Sequence, residues 1–293
     1  MNVVRISDGL GNQMFQYAFA RKISILTGKK VYLDTRFINN EDMVQNGNNA
    51  YFRDKLGHRE YGLMHFNISL PVADEKIMSQ WKYLQQSNYV DKFFYGFSLM
   101  NKWIWQYQNE ELNFNGKLSK FRLAFPTYYQ GYYFDMKYYD DIKGILQHEF
   151  SLKKKIKLPP DFRAILSNEN TVSLHVRRGD FLKLNRDISS SGYYDKAVKF
   201  VESQIDRPVY LIFSDDIDWV NNNMEISGEK IFVSSMGFRD YEELTIMKHC
   251  KHNIIANSTF SYWGAYLNDN EDKIVVCPKN WRSQIIPKNW SKC

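Results

Sequence analysis

The sequence predicts an α/β protein made of two facing Rossmann-like domains with a cleft between them. Three observations support this: apolar strand-like segments alternate with helix-like segments, a stretch ending in Pro159 and Pro160 resembles a linker, and 293 residues suffice for two domains. The predicted domains are residues 1–155 and 156–293. In sheets of this kind ligands bind beyond the carboxyl ends of the strands, so we expect the functional site there.

Composition is that of an ordinary globular protein with a mildly basic charge. Hydrophobic residues make up 44%, charged residues 25%, and the formal net charge is +6. Such a charge suits a nucleotide, an acidic glycan, a nucleic acid or a membrane surface as partner. The densest basic run, Lys153 to Lys155 with Lys157, favours a solvated linker over a binding patch. The aromatic fraction, 16%, can serve a sugar site as well as a core.

Cysteine usage and the start of the chain predict a cytoplasmic protein. Cys250, Cys277 and Cys293 have neither a paired framework nor metal-ligand spacing, which fits a reducing compartment. Residues 3–6 form a strand containing Arg5 rather than a secretory apolar region. No apolar run is long enough to cross a bilayer. At most, weak peripheral association with the inner face of the membrane is expected.

The first half begins as a βαβ unit. Strands are predicted at 3–6 and 31–33. Gly9, Gly11 and Asn12 predict a tight turn with Asn12 as helix N-cap. The helix follows from apolar residues at helical spacing, Phe15, Phe19, Ile23 and Leu26, and Gly28 suits its C′ position.

The rest of the first half is less regular. The region from 35 to about 125 is interpreted as insertions, with helices at Asp74–Gln86 and Asp91–Tyr107. The tyrosine-rich segment Tyr128–Tyr139 leads into a helix that ends near Phe150, and Lys153–Pro160 is the linker.

The second half alternates clearly between the two kinds of element, which favours a parallel sheet covered on both faces. The predicted strands are Thr171–Val176, Pro208–Phe213, Lys230–Val233, Asn253–Ile255 and Lys273–Cys277. The predicted helices are Tyr193–Ile205, Ile217–Asn222, Arg239–Cys250 and Ser258–Leu267.

Polar segments follow three of these strands. The first is His175-Val176-Arg177-Arg178-Gly179-Asp180. Two arginines just past a buried strand are costly unless an anion or a carboxylate meets them, and the planar guanidinium suits a diphosphate. Gly179 lets the backbone approach a ligand. An internal Arg–Asp ion pair is an equally good interpretation.

The second segment is Ser214-Asp215-Asp216. A carboxylate at a strand end can accept the N–H groups of a guanine edge or hold a ribose hydroxyl. Asp216-Ile217-Asp218 also matches a short metal-binding Asp-x-Asp pattern. The structural alternative is that these residues simply cap a helix.

The third segment is Asn257-Ser258-Thr259-Phe260-Ser261-Tyr262-Trp263-Gly264, which opens a helix. Backbone N–H groups at a helix start bind anions, and the hydroxyls add donors. Taken alone, an ordinary capped helix is the better interpretation. Together the three segments predict a nucleotide-diphosphate site.

The Gly9–Asn12 turn is not a dinucleotide fingerprint, because Met14 occupies the position of the third glycine. The turn is therefore interpreted as a second loop facing the cleft.

These motifs, with Gly9-Leu10-Gly11-Asn12-Gln13-Met14-Phe15-Gln16-Tyr17-Ala18, the Phe213–Asp216 segment with Trp219, and Gly131-Tyr132-Tyr133-Phe134, resemble the bacterial α-1,2-fucosyltransferase family. They span almost the whole chain in the family's order. The chain departs from the pattern at Asp8, where the family often has glycine, and at Tyr262, where tryptophan is common.

The resemblance implies a GT-B-type fold, a GDP-fucose donor, a galactose-terminated glycan acceptor, inversion, no cofactor and no metal. No nucleic-acid partner is expected. It assigns Arg177 and Arg178 to the diphosphate, His175 with Asp215 or Asp216 to the nucleoside, and Asn257, Ser258, Thr259, Phe260 and Ser261 to the donor. Gly9, Gly11, Asn12 and Gln13 fall on the acceptor side.

Catalysis would rest on cations that stabilise the departing diphosphate and on a base for the acceptor hydroxyl. Arg177 is the candidate cation. Asp180 is the candidate base, and its alternative role is to orient an arginine. Asp8 is the next candidate for the base.

Two alternative functions remain open: another nucleotide-sugar glycosyltransferase of the same fold, and a non-catalytic nucleotide- or glycan-binding protein. A Rossmann oxidoreductase is disfavoured by the missing glycine.

Overall fold

The computed structural model describes residues 1–39, 60–79, 106–109, 126–167 and 170–293. These residues form two compact units. The first holds 1–39, 60–63, 68–79, 106–109 and 126–143, and the second holds 64–67, 144–167 and 170–293. The short segment 64–67 therefore belongs to the second unit although residues of the first unit flank it.

A four-stranded, wholly parallel sheet forms the centre of the first unit. Its strands are β1 (Asn2–Arg5), β2 (Val31–Asp34), β3 (Gln106–Asn109) and β4 (Thr127–Gln130), in the order β2-β1-β4-β3. Val3 of β1 lies opposite Tyr32 on one side and Tyr128 on the other. Because β1 and β4 are parallel neighbours, the segments that follow them leave the same edge of the sheet.

Helix α1 (Leu10–Thr27) connects β1 to β2, and the apolar spacing that predicted it is confirmed. Phe15, Phe19 and Ile23 are fully buried, whereas Leu26 near the end is exposed. Gly28 closes the helix with a φ of 63°, the left-handed conformation that favours glycine at this position.

The predicted start of this helix is wrong. Gly9 is the N-cap, and its carbonyl accepts the N–H groups of Asn12 and Gln13. Gly11, Asn12 and Gln13 therefore lie in the first helical turn rather than in a loop. Glycine and asparagine have low intrinsic helix propensity, but tertiary contacts override such preferences.

Of the two helices predicted in the insertion, one is confirmed in its described part and the other is wrong in its described part. Of Asp74–Gln86, the described part is the short helix α3 (Glu75–Ser79), and 80–86 lies outside the described residues. Of Asp91–Tyr107, residues 91–105 lie outside the described residues, and Gln106 and Tyr107 belong to β3, so the helix is wrong there. A one-turn helix, α2 (Arg36–Asn39), follows β2.

The second unit contains a six-stranded sheet in which every pairing is again parallel. Its strands are β5 (Thr171–Val176), β6 (Val209–Ser214), β7 (Glu229–Phe232), β8 (His252–Ile254), β9 (Val275–Cys277) and β10 (Ser291–Lys292). The order is β10-β9-β8-β5-β6-β7, so β5 pairs with both β6 and β8.

Helices pack on both faces of this sheet, α7 (Tyr193–Glu202) on one and α9 (Asp240–His249) on the other. The remaining helices are α4 (Lys143–Glu149), α5 (Pro160–Leu166), α6 (Gly179–Lys183), α8 (Ile217–Asn223) and α10 (Thr259–Leu267). Short 3-10 turns occur at Gly62–His65, Met136–Tyr138, Asp140–Ile142, Ser189–Ser191 and Val233–Ser235. One core packs Leu174 and Ile212 against Val198 of α7. The other packs Phe213 against Ile246 and Met247 of α9.

The predicted α/β class with parallel sheets is confirmed. Residues 153–159 form no helix or strand and lie within the second unit, and α5 begins at Pro160, which suits the first position of a helix. Within the described ranges, no helix combines the length and apolarity needed to cross a membrane.

Candidate functional site

The three polar segments predicted from the sequence meet at one edge of the six-stranded sheet. Val176 at the end of β5 pairs in register with Ser214 at the end of β6, and Leu174 pairs with Ile254 at the end of β8. Because all three strands are parallel, the loops after them leave the sheet side by side. The residues at the ends of these strands are buried, so the point from which each loop starts is held in place.

Arg177 lies at the centre of this edge between two carboxylates. Its Nε and Nη2 contact Oδ1 of Asp180 at 2.9 and 2.8 Å, and its Nη1 lies 3.0 Å from Oδ2 of Asp215. The Arg177 side chain is 25% exposed, and the Asp180 side chain only 10%. A guanidinium carries five N–H donors, so these contacts leave part of it available to a ligand.

Arg178 occupies a different, more enclosed setting. Its Nε donates to Asp216 at 3.0 Å, its Nη1 lies 3.3 Å from Asp187 and also bonds to Ser189, and its guanidinium lies 4.1 Å from the ring centroid of Trp219. The side chain is 13% exposed. For this arginine the geometry matches the internal ion-pair interpretation.

Asp215 ties the first segment to the second. Its Oδ1 accepts the backbone N–H groups of Arg178 at 2.8 Å and Gly179 at 3.1 Å. A Cβ at position 179 would lie 2.8 Å from Asp215 Oδ2, which explains why glycine is needed. Asp216 caps α8 by accepting from the Trp219 N–H at 3.2 Å, as the structural alternative expected. Both oxygens of Asp215 and both oxygens of Asp216 are thus engaged within the protein.

His175 is buried beneath these loops, with its ring 5.6 Å from that of Phe260. Its Nδ1 is buried and has no hydrogen-bond partner. Burial, with a smaller effect from the charge of Arg177, lowers the pKa of His175 to about 3. The imidazole is therefore neutral near pH 7 and can serve as a hydrogen-bonding group, not as a cation.

The third segment forms the start of α10. Ser258 is the N-cap and accepts from the Phe260 N–H at 3.3 Å, while the Ser261 hydroxyl accepts from the Ala256 N–H at 3.2 Å. Both serines are buried. Asn257 donates to the carbonyl of Arg186 at 2.8 Å, and its Oδ1 is buried without a partner. The serine hydroxyls thus organise the turn, and a ligand would meet Thr259, Asn257 and the backbone.

Glu243 is a candidate residue that sequence reasoning missed. It lies in the first turn of α9, and burial is the main reason that its pKa rises to about 7, with a hydrogen bond to Ser234 acting in the opposite direction. Ser234 follows β7, and its Oγ accepts the N–H of Ser214 at 3.1 Å. The sequence contains one indication that Glu243 is buried. Ile246 and Met247, three and four residues after it, are apolar, so Glu243 lies on the side of the helix that faces the core.

The residues predicted for the acceptor side lie in the first unit. Gln13 is fully buried and braces the backbone, with Nε2 donating to the carbonyls of Asp8 and Glu60 at 2.8 Å each and Oε1 accepting the Gly62 N–H at 3.1 Å. Gly11 is buried, and Gly9 and Asn12 are partly exposed. Gln13 is therefore a support residue.

In the part of the chain that the structure describes, no group of three or more His, Cys, Asp or Glu side chains is arranged to hold a metal ion. Of the Asp216-Ile217-Asp218 pattern, Asp216 is engaged with Arg178 and with the start of α8.

Comparisons with known proteins agree with the motif pattern. The profile of glycosyl transferase family 11 matches residues 1–291. The O-antigen biosynthesis glycosyltransferase WbnK of Escherichia coli is 31% identical, covering 97% of this chain and 98% of the relative. An alpha-1,2-colitosyltransferase of Escherichia coli is 25% identical, covering 99% and 96%. The galactoside 2-alpha-L-fucosyltransferase Sec1 of Mus musculus is 21% identical, covering 92% and 65%. Because the family profile covers nearly every residue, the chain belongs to glycosyl transferase family 11, the α-1,2-fucosyltransferase family.

Proposed function

We propose that this protein transfers L-fucose from GDP-fucose to the 2-hydroxyl of a galactose residue in a glycan, with inversion. The observation that carries the proposal is the convergence of three loops at one sheet edge, in a chain of this family. That edge is where open parallel sheets bind nucleotides. The galactoside 2-fucosyltransferase among the relatives supports the acceptor and the linkage.

In this proposal Arg177 is the catalytic cation. Fucose leaves GDP through an oxocarbenium-like transition state, and negative charge develops on the departing diphosphate. A guanidinium fixed beforehand lowers the barrier because it needs no reorganisation as that charge appears. Asp180 and Asp215 hold Arg177 from two sides. The geometry of Asp180 supports its orienting role, since one of its oxygens already receives both Nε and Nη2 of Arg177.

The nucleoside would bind beside the diphosphate. His175, neutral and with an unpartnered Nδ1, is suited to hydrogen-bond the base or the ribose. Asp215 and Asp216 were the predicted carboxylates, and both already receive bonds from this chain. The half-buried carboxyl of Glu243 adds a further acceptor for the two N–H groups of a guanine edge. Asn257, Thr259 and the start of α10 would complete the donor site.

A second donor sugar has specific support. One relative is named a colitosyltransferase, and colitose is fucose without one hydroxyl. A donor panel separates these cases: GDP-fucose and GDP-colitose are offered with lactose and N-acetyllactosamine, and the products are resolved by linkage. We expect an α-1,2-fucosylated galactose. Preferential transfer from GDP-colitose would show that the transferred sugar is colitose and not fucose. GDP binding without release of either sugar would indicate a non-catalytic binding protein.

The proposal includes no cofactor and no metal, because Arg177 and the start of α10 supply positive charge to the diphosphate. It places the reaction in the cytoplasm, at the inner face of the membrane, where a net charge of +6 favours weak attraction to anionic lipid.

A further inference from the structure

The carboxyl edge of the second sheet carries more negative than positive charge. Arg177 lies between two carboxylates, and Arg178 lies between two others. His175 adds no charge near pH 7, because burial lowers its pKa to about 3. Two guanidinium groups are therefore set against four carboxylates, which leaves a formal charge of −2. The carboxylates are those of Asp180, Asp187, Asp215 and Asp216.

Backbone dipoles at this edge do not make up the difference. The start of α10 contributes about half an elementary positive charge through its N–H groups. A nucleotide diphosphate is an anion, and negative charges held close together repel one another. An edge that binds a diphosphate therefore needs a further cation, either from this chain or from a metal ion.

Arg186 is an arginine beside this edge whose side chain is free. It is exposed, and within the described ranges its guanidinium makes no hydrogen bond, ion pair or ring contact. The next residue, Asp187, is by contrast engaged, since it lies 3.3 Å from Arg178 Nη1 and accepts from the Ser189 hydroxyl at 2.6 Å. All five N–H donors of the Arg186 guanidinium are thus available to a ligand.

The backbone of Arg186 is held in place by the end of α6. Asn185 has a φ of 53°, the left-handed conformation, and its N–H donates to the Leu182 carbonyl at 3.3 Å. The Arg186 N–H donates to the Phe181 carbonyl at 2.9 Å. These two bonds form a Schellman motif, which ends a helix in a defined geometry. Arg186 therefore extends from a fixed point of the first polar segment.

A further contact joins Arg186 to the third polar segment. Asn257, which precedes the N-cap of α10, donates from Nδ2 to the Arg186 carbonyl at 2.8 Å. Arg186 is thus anchored between the loop after β5, which carries Arg177, and the loop after β8, which opens α10. Lys183 is also exposed, but it lies inside α6 and not at this junction.

We propose that Arg186 is a second cation of the donor site and binds the diphosphate of the nucleotide beside Arg177. This inference rests on the proposed function. Its long side chain can adjust to the ligand, and a planar guanidinium can bind two phosphate oxygens at once. Arg178, which the sequence assigned to the diphosphate, then has a supporting role, because it holds Asp187 and with it the segment that carries Arg186.

Calorimetry with GDP and with guanosine, both in excess EDTA, tests this cation. We expect Arg186→Gln to weaken GDP binding about tenfold or more, the scale of a lost hydrogen bond to a charged group, and to leave guanosine binding unchanged because guanosine has no phosphate. Arg186→Lys should recover part of the GDP affinity, since it keeps the charge but not the planar fork. The matched control is Lys183→Gln, which removes an exposed cation from the same segment and should bind GDP as the parent does.

A GDP affinity of Arg186→Gln equal to that of Lys183→Gln would overturn the proposal. Equal losses of GDP and guanosine affinity would also overturn it, because the shape of the loop and not the charge would then be responsible. GDP binding by the parent that requires added magnesium would show that a metal ion offsets the carboxylates instead. If the variants behave as expected but the parent transfers fucose to no galactoside, the proposed function is wrong and the role of Arg186 at the diphosphate stands.

Discussion

Arg177 and Arg178 are adjacent in the chain, yet their side chains lie in different surroundings. Arg177 keeps a quarter of its surface exposed between Asp180 and Asp215. Arg178 is enclosed by Asp216, Asp187, Ser189 and Trp219. The resemblance to the family gave both residues to the diphosphate and made Arg177 the candidate catalytic cation. The exposure of Arg177 is compatible with that proposed role, whereas Arg178 supports the loop.

We expect Arg177→Ala to reduce turnover by about 100-fold or more, the scale for one lost charge-stabilising group. Both Arg177→Ala and Arg178→Ala should lower the free energy of unfolding by roughly 2 kcal/mol, since each leaves largely enclosed carboxylates without their partner. The folded Arg178→Ala variant should turn over much faster than the folded Arg177→Ala variant, which single-turnover rates below the unfolding midpoint test. Equal turnover of the two folded variants would contradict the distinction.

Glu243 predicts a pH dependence of stability. Its pKa is about 7 in the folded protein against 4.5 ordinarily, so between those values the folded state holds more protons than the unfolded state. Its contribution to stability is present below pH 4.5 and is lost as the pH rises through about 7. We expect the stability of the parent, relative to Glu243→Gln, to fall across this window in urea titrations at pH 4 to 8. A constant difference would show that burial does not perturb this carboxyl.

At the scale of the element, long periodic segments were predictable, whereas several short ones were not. The α1 periodicity and strands β5 to β9 were found because burial imposes a regular pattern over several turns or residues. Helices α5 and α6 and strand β10 have seven, five and two residues, too few for a period to emerge. The start of α1 was misplaced because Gly9, Gly11 and Asn12 have turn-like chemistry that tertiary bonds override.

The loop after β5 depends on the absence of a side chain at Gly179. Gly179→Ala would place a methyl group 2.8 Å from Asp215 Oδ2, so the carboxylate must move away from the N–H groups that it accepts. We expect weaker GDP binding by calorimetry and lower turnover, with the rest of the fold intact. Gly144→Ala in α4 meets nothing within 4 Å and is the control, expected to bind GDP normally. Normal GDP binding by Gly179→Ala would show that this loop does not hold the donor.

For the whole molecule, the sequence predicted the class, the parallel sheets and the three segments that meet at one edge. It could do so because parallel strands deliver their loops to the same side, so order along the chain translates into proximity. The sequence could not predict the surroundings of individual side chains. The ion pair between Arg177 and Asp215 and the hydrogen bond from Gln13 to the carbonyl of Glu60 join residues distant in sequence, which no local pattern encodes.

The proposed metal independence belongs to this scale, because it concerns the total charge available to the donor. We expect transfer from GDP-fucose to continue at an essentially unchanged rate in excess EDTA, since in the proposed site Arg177 and the start of α10 would take the place of a metal at the diphosphate. Rates measured before and after chelation test this. Full loss in EDTA, restored by magnesium or manganese, would instead make Asp216 and Asp218 metal ligands.

The strand order of the second unit also affects how the chain folds while it is being synthesised. β8 lies between β5 and β9 in the sheet, although β6 and β7 are synthesised between β5 and β8. The nascent chain therefore leaves one hydrogen-bonding edge of β5 unpaired until residues 252–254 emerge, and the sheet is completed on that same side only by residues 291–292. Sheets assembled from such distant segments fold slowly and remain open to non-native pairing meanwhile. Production of this enzyme should thus respond to slower translation or to chaperones more than its modest size suggests.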